Sequence, residues 1–128
     1  MRFGIKVLPV AACLAALALV AGAAPSHAAF GAFAHDQTTG KYGYSWNETS
    51  EKKAEEAALK GCASDGCKVV FRTKAGQCGA LAMNENGKTW GGATRPKREE
   101  AEKAALENCQ KRVSAGGQCK VRGSECNK

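Results

Sequence analysis

The nine residues AEEAALKGC at 54–62 return as AEKAALENC at 101–109. A chain of 128 residues that writes one helical phrase twice is constrained to a unit used twice. The correspondence runs well beyond the phrase. Phe30-Gly31-Ala32-Phe33-Ala34 answers Cys78-Gly79-Ala80-Leu81-Ala82. A turn follows each, Asp36 to Gly40 and Asn84 to Gly87, and both turns end in glycine then lysine, Lys41 and Lys88. Next come Tyr42-Gly43-Tyr44-Ser45-Trp46 and Thr89-Trp90-Gly91-Gly92-Ala93. The helical phrases follow, and last Cys67-Lys68-Val69-Val70 and Cys119-Lys120-Val121. The unit reads strand, turn, strand, helix, strand, with repeat one at about 30–77 and repeat two at about 78–126.

Local chemistry supports each element. Phe30, Ala32 and Ala34 alternate with Gly31, Phe33 and His35, the pattern of a strand buried on both faces. Thr39-Gly40 and Asn86-Gly87 supply hairpin-turn residues. Ala54, Ala57, Ala58, Gly61 and Cys62 fall on one helical stripe, as do Ala101, Ala104, Ala105, Asn108 and Cys109. Charges fill the opposite faces. A stripe of alanine buries little area per residue, so each helix has to sit close to its neighbour, and covalent staples compensate for a thin core. The expected fold is α+β: two pseudo-symmetric repeats forming antiparallel sheet with two packed helices, stapled by disulfides.

The N-terminus reads as an export signal. Arg2 and Lys6 precede an apolar run from Val7 to Ala24, and Ser26-His27-Ala28 offers small residues for cleavage after Ala28. Val10-Ala11-Ala12-Cys13 resembles a lipoprotein cleavage box, but the apolar run continues past Cys13. Removing 28 of 128 residues leaves 100, one small domain at 29–128, in the periplasm or outside the cell. Its net charge falls from +7 to +5 as Arg2 and Lys6 leave. Of seven cysteines, Cys13 leaves too, and an even set of six in an exported chain reads as a disulfide framework. There is no C-x-x-C pair and His35 is the one histidine after residue 28, so neither zinc nor a thioredoxin-like motif is expected. If the halves are symmetric, exchanging them must map the bonds onto themselves. That favours Cys62–Cys67, Cys109–Cys119 and Cys78–Cys126, the third joining symmetry-equivalent ends of the halves.

The combined pattern resembles the family called domain of unknown function 4189. The residues that carry the resemblance are Gly31-Ala32-Phe33-Ala34, Gly40-Lys41-Tyr42-Gly43-Tyr44-Ser45-Trp46, Ala54 to Cys62 and Gly66-Cys67-Lys68-Val69-Val70. Cys78-Gly79-Ala80-Leu81-Ala82 and Trp90-Gly91-Gly92-Ala93-Thr94 repeat it. The resemblance covers essentially residues 30–126 and implies a small exported bacterial protein with a doubled cysteine layout. It brings no activity and no catalytic residues. The chain departs from the pattern at Thr94-Arg95-Pro96-Lys97-Arg98, where basic residues precede the second helix, and between Cys109 and Cys119.

Catalytic constellations are sparse. A Ser-His-Asp or Cys-His arrangement would have to run through His35, expected at a solvent-facing strand end. Most of the twelve carboxylates lie on the helix faces. Gly87-Lys88-Thr89 imitates the tail of a phosphate loop, but Ala82 stands where that loop needs its first glycine. Tyr42, Tyr44 and Trp46 share one strand face, with Trp90 as a partial counterpart. A face of rings can serve as a sugar or peptide platform. Here it is expected to be core, covering the alanine-rich helices. Features present in one half alone are the better functional candidates. Acids open the first helix at Glu48 and Glu51, whereas Arg95, Lys97 and Arg98 crowd the positive end of the second, offset in part by Glu99 and Glu100. Those three, with Thr94, form a candidate anion site. The expectation is a non-enzymatic exported binding protein without cofactor or metal. Its partner would be an acidic protein or an anionic envelope polymer, with no nucleic acid and no stable membrane insertion. The alternatives are an inhibitor or immunity protein against a secreted hydrolase or toxin, and a small envelope enzyme.

Overall fold

Six of the seven residues of β1 (Phe30–Asp36) are buried, because this strand is covered on both faces and both edges. It is central in an antiparallel sheet of order β2-β1-β3, with β2 at Tyr42–Glu48 and β3 at Cys67–Thr73. The second sheet repeats the plan as β5-β4-β6, with β4 at Cys78–Asn84, β5 at Trp90–Arg95 and β6 at Cys119–Cys126. Helix α1 (Glu51–Cys62) links β2 to β3, and α2 (Arg98–Gln110) links β5 to β6. This computed structural model describes residues 29–114 and 117–128; the expected signal segment and Cys13 lie outside them. The fold is α+β.

The two faces of each central strand do different work. Ala32 and Ala34 pack on Ala54, Ala58 and Cys62 of α1. Ala80 and Ala82 pack on Ala101, Ala105 and Cys109 of α2. Between them Phe33, Leu81 and Met83 point away from the helices and into a third cluster. The layers therefore run helix, sheet, sheet, helix. The strands make two sheets rather than one, and the helices lie on opposite outer faces rather than against each other.

Small residues let each helix approach its sheet. A side chain at Gly43 would overlap the α1 backbone at Ala58 and Cys62, and one at Gly91 would overlap α2 at Ala105 and Cys109. Ser45 Oγ donates to Ala54 O at 2.6 Å. Ser50 starts α1 by accepting from Lys53 N, and Ala63, left-handed at φ 54°, ends it by donating to Leu59 O.

The aromatic face takes the other side of β2. Tyr42 and Tyr44 do not cover the alanine-rich helices; Gly43 and Ser45 face α1, and the rings enter the seam between sheets. Phe33 lies over Gly79, Phe71 over Gly92 and Tyr44 over Gly123. Phe33 stacks on Phe71 at 4.4 Å and on Tyr44 at 5.4 Å. At these three points the first sheet supplies the ring and the second supplies the glycine. Trp46 departs from the expected burial. A bulge shifts the β1–β2 register between Phe30 and Ala32, with Asn47 left-handed at φ 54°. Trp46 stays beside Tyr44 at 5.9 Å but is 44% exposed.

Two contacts close the ends of the seam. The glycines that end the hairpin turns, Gly40 (φ 76°) and Gly87 (φ 75°), touch each other. At the far end buried Asn127 donates to Thr73 Oγ1 (2.6 Å) and accepts from Asn47 N (2.8 Å), tying the end of the second unit to the first sheet.

The bridges are Cys62–Cys67, Cys78–Cys126 and Cys109–Cys119. The first and last tie each helix end to the following strand. Cys78–Cys126 does not join the two halves. It links cross-strand partners on β4 and β6 of the second sheet, because repeat two returns to its own starting strand.

Two stability measurements test this account. Replacing Cys78 and Cys126 by serine is expected to cost about 4 kcal/mol in urea unfolding, against about 2 kcal/mol for Cys62 and Cys67, because the longer loop regains more chain entropy. Phe33→Ala should cost about 3–5 kcal/mol. Trp46→Ala should cost less than about 2 kcal/mol, since nearly half of that ring is already in water.

Candidate functional site

The start of α2 lacks the cap that α1 has. Lys97 occupies the N-cap position with extended backbone and makes no side-chain capping bond. Thr94 and Arg95 end β5, and Pro96 turns the chain into the helix. Arg95 Nη1 donates to Thr94 O at 2.7 Å. Arg98 turns toward β6, donating to Ser124 O at 3.0 Å and lying 3.8 Å from Glu125. Neither Arg95 nor Lys97 forms an ion pair among the described residues. The four candidate residues thus share one corner, but Arg98 is partly committed to the fold.

The rings divide between the two edges of the molecule. Tyr42, Tyr44 and Trp46 form a ladder along β2. Tyr42 Oη donates to Arg122 O at 3.4 Å, and Asn47 N meets Asn127, so β2 runs alongside β6. The shared offset of those two contacts sets Trp46 level with Cys126, one residue past Glu125, which lies 3.8 Å from Arg98. Trp90 lies on the opposite edge, stacked on Phe71 at 6.2 Å with the Arg112 guanidinium 5.3 Å from its ring.

His35 is not at a solvent-facing strand end. It is only 3% exposed, because the hairpin turn of the other sheet packs on it. Its Nε2 donates to Gly87 O at 2.6 Å. Gln37 similarly donates to Lys88 O at 3.0 Å. Asp36, also buried, organises its own turn. The Ser64 hydroxyl donates to one carboxylate oxygen and the Thr38 and Thr39 amides to the other. These bonds, Ser64 foremost and then the Thr38 amide, hold its pKa down to about 2 against the cost of burial. Around the pair lies a cleft of about 430 Å³, which Lys68, Val70 and Trp90 also line. A groove of about 610 Å³ occupies the corresponding place on the second sheet, beside Asn84, Glu85, Gln118, Lys120 and Arg122. Among the described residues no three His, Cys, Asp or Glu side chains group to hold a metal ion, and all six described cysteines are in disulfides.

The profile of a domain of unknown function (DUF4189) matches residues 30–126. The chain belongs to the DUF4189 family. A solved relative of this DUF4189 chain is described as the NMR structure of Rv1813c from Mycobacterium tuberculosis. It is 28% identical with a TM-score of 0.54, over 82% of this chain and 79% of that one. No curated protein matches. Of the groove residues, Lys68 and Lys120 were visible as the doubled Cys-Lys-Val. The buried His35 was not, since its partner Gly87 is 52 residues away.

Asp36 predicts an acid dependence. Its folded pKa lies below its ordinary value of 3.8, so its contribution to stability is complete above the ordinary carboxylate range and is lost as pH falls through about 2. In urea unfolding across pH, the gap between the parent and Asp36→Asn should be widest near neutrality and close toward pH of about 2.

Proposed function

We propose that this DUF4189 chain is an exported, non-enzymatic binding protein that engages an anionic partner, an acidic protein or envelope polymer. Its contact surface would be the corner of Thr94, Arg95, Lys97 and Arg98, with Trp46 at its margin. The observation that carries this reading is the uncapped, cation-rich start of α2. Arg95 and Lys97 hold their charge in solvent without an ion pair among the described residues, at the positive end of a helix whose first amides lack a side-chain cap; Glu99 and Glu100 in the first turn offset that charge in part. The ordinary arrangement is present in the same molecule, where Ser50 and Glu51 open α1. Exposed Trp46 adds a ring of the kind that anchors interfaces.

Export is supported by the N-terminal signal pattern and by three disulfides, bonds that persist in oxidising compartments. Among the described residues no helix is long and apolar enough to cross a membrane. Duplication of one unit underlies this reading: the identical element order, the paired glycines Gly43 and Gly91, and the touching turn tips support a pseudo-two-fold relation between the halves. A binding reading is favoured over a catalytic one because His35 Nε2 and both oxygens of Asp36 are engaged in holding turns.

Affinity purification on the tagged protein from envelope extract, with mass spectrometry, identifies the partner. Arg95→Glu with Lys97→Glu should then weaken binding at low salt by at least about tenfold, and added salt should erase the difference. Equal binding of parent and variant at low salt would remove the proposed surface.

A further inference from the structure

The second candidate place in the molecule is independent of the α2 corner. His35 and Lys68 are directly opposed across the β1–β3 ladder, which places their side chains side by side on the face away from α1. Nε2 of His35 is fixed as a donor by Gly87 O. The neutral imidazole then carries its lone pair on Nδ1. That atom makes no hydrogen bond among the described residues. His35 lines the 430 Å³ cleft, which is the space on offer to that nitrogen. Lys68 stands at the same cleft without an ion pair among the described residues, and ionised Asp36 lies next to it. Trp90 and Val70 supply apolar wall. The corresponding register position in the second sheet pairs Met83 with Lys120, so the acceptor belongs to one half alone.

A carbonyl-oriented acceptor, a free ammonium and a neighbouring carboxylate make a site with separated charges. Its volume falls in the ordinary range for small-molecule sites. A simple anion would satisfy Lys68 and meet repulsion from Asp36; a simple cation would meet the reverse. We propose that this cleft binds a small zwitterion of the amino-acid or dipeptide class. Its carboxylate sits on the Lys68 ammonium, its ammonium donates to His35 Nδ1 beside Asp36, and its side chain lies along Val70 and Trp90.

L-Alanyl-L-alanine is the probe, titrated into uniformly 15N-labelled protein while the Trp90 indole N–H is followed by NMR. Trp46→Phe assigns that signal, since the chain has two tryptophans. The expected result is a saturable shift at Trp90, with binding about tenfold weaker for the N-acetylated and for the C-amidated dipeptide, each of which loses one charged contact. Lys68→Ala, at an exposed position, should weaken the free dipeptide about tenfold yet leave the C-amide unchanged, a pattern that altered folding would not produce. No saturable shift up to about 10 mM in the parent would overturn the proposal. So would equal binding of the capped dipeptides, or of parent and Lys68→Ala.

Discussion

Aromatic rings of the first sheet lie where the second sheet has no side chains, and the rest of the fold is arranged around that contact. A ring over glycine meets flat backbone, so Phe33, Phe71 and Tyr44 bring the sheets close without displacing neighbours. The central strands must then give their remaining faces to the helices, and those faces are alanine. Alanine contributes little area, which is why the helices come down on Gly43 and Gly91 and are pinned by Cys62–Cys67 and Cys109–Cys119. Close approach thus replaces side-chain volume in the outer layers, and ring volume is concentrated in the middle one.

The doubled phrase and the cysteine spacing made the element order and the bridge pairing legible, because both are local or follow from repetition. The choice of faces was not legible in the same way. Alternation along Tyr42 to Trp46 separates rings from small residues but does not say which set meets the helix. The deciding fact is steric: an alanine helix needs Gly43 and Ser45 beneath it, and the rings are left for the seam. The direction of Trp46 depends on a bulge centred on Asn47, whose side chain meets Lys128 at the far end of the chain. No local window contains both.

The candidate sites divide along the same line. The basic corner at Thr94 to Arg98 was readable as a departure of one half from the other. That Arg98 is partly spent on Ser124 and Glu125 was not, since it depends on where β6 passes. His35 looked like the end of a strand and proved to be the point where one hairpin turn meets the other. Its burial follows from a contact between halves, and so does the tautomer that leaves the lone pair on Nδ1.

The ring-on-glycine seam also gives the two units distinct identities. Two copies of the first unit would bring Phe33, Tyr44 and Phe71 against their own equivalents, with no flat backbone to receive them. Two copies of the second would bring Leu81, Met83 and Trp90 against their own equivalents and leave Gly79, Gly92 and Gly123 without the rings that cover them. Each unit is shaped for the other and against itself, as a heterodimer is. Covalent linkage in one chain then supplies the correct partner at high effective concentration, and the mismatch discourages exchange of units between neighbouring molecules.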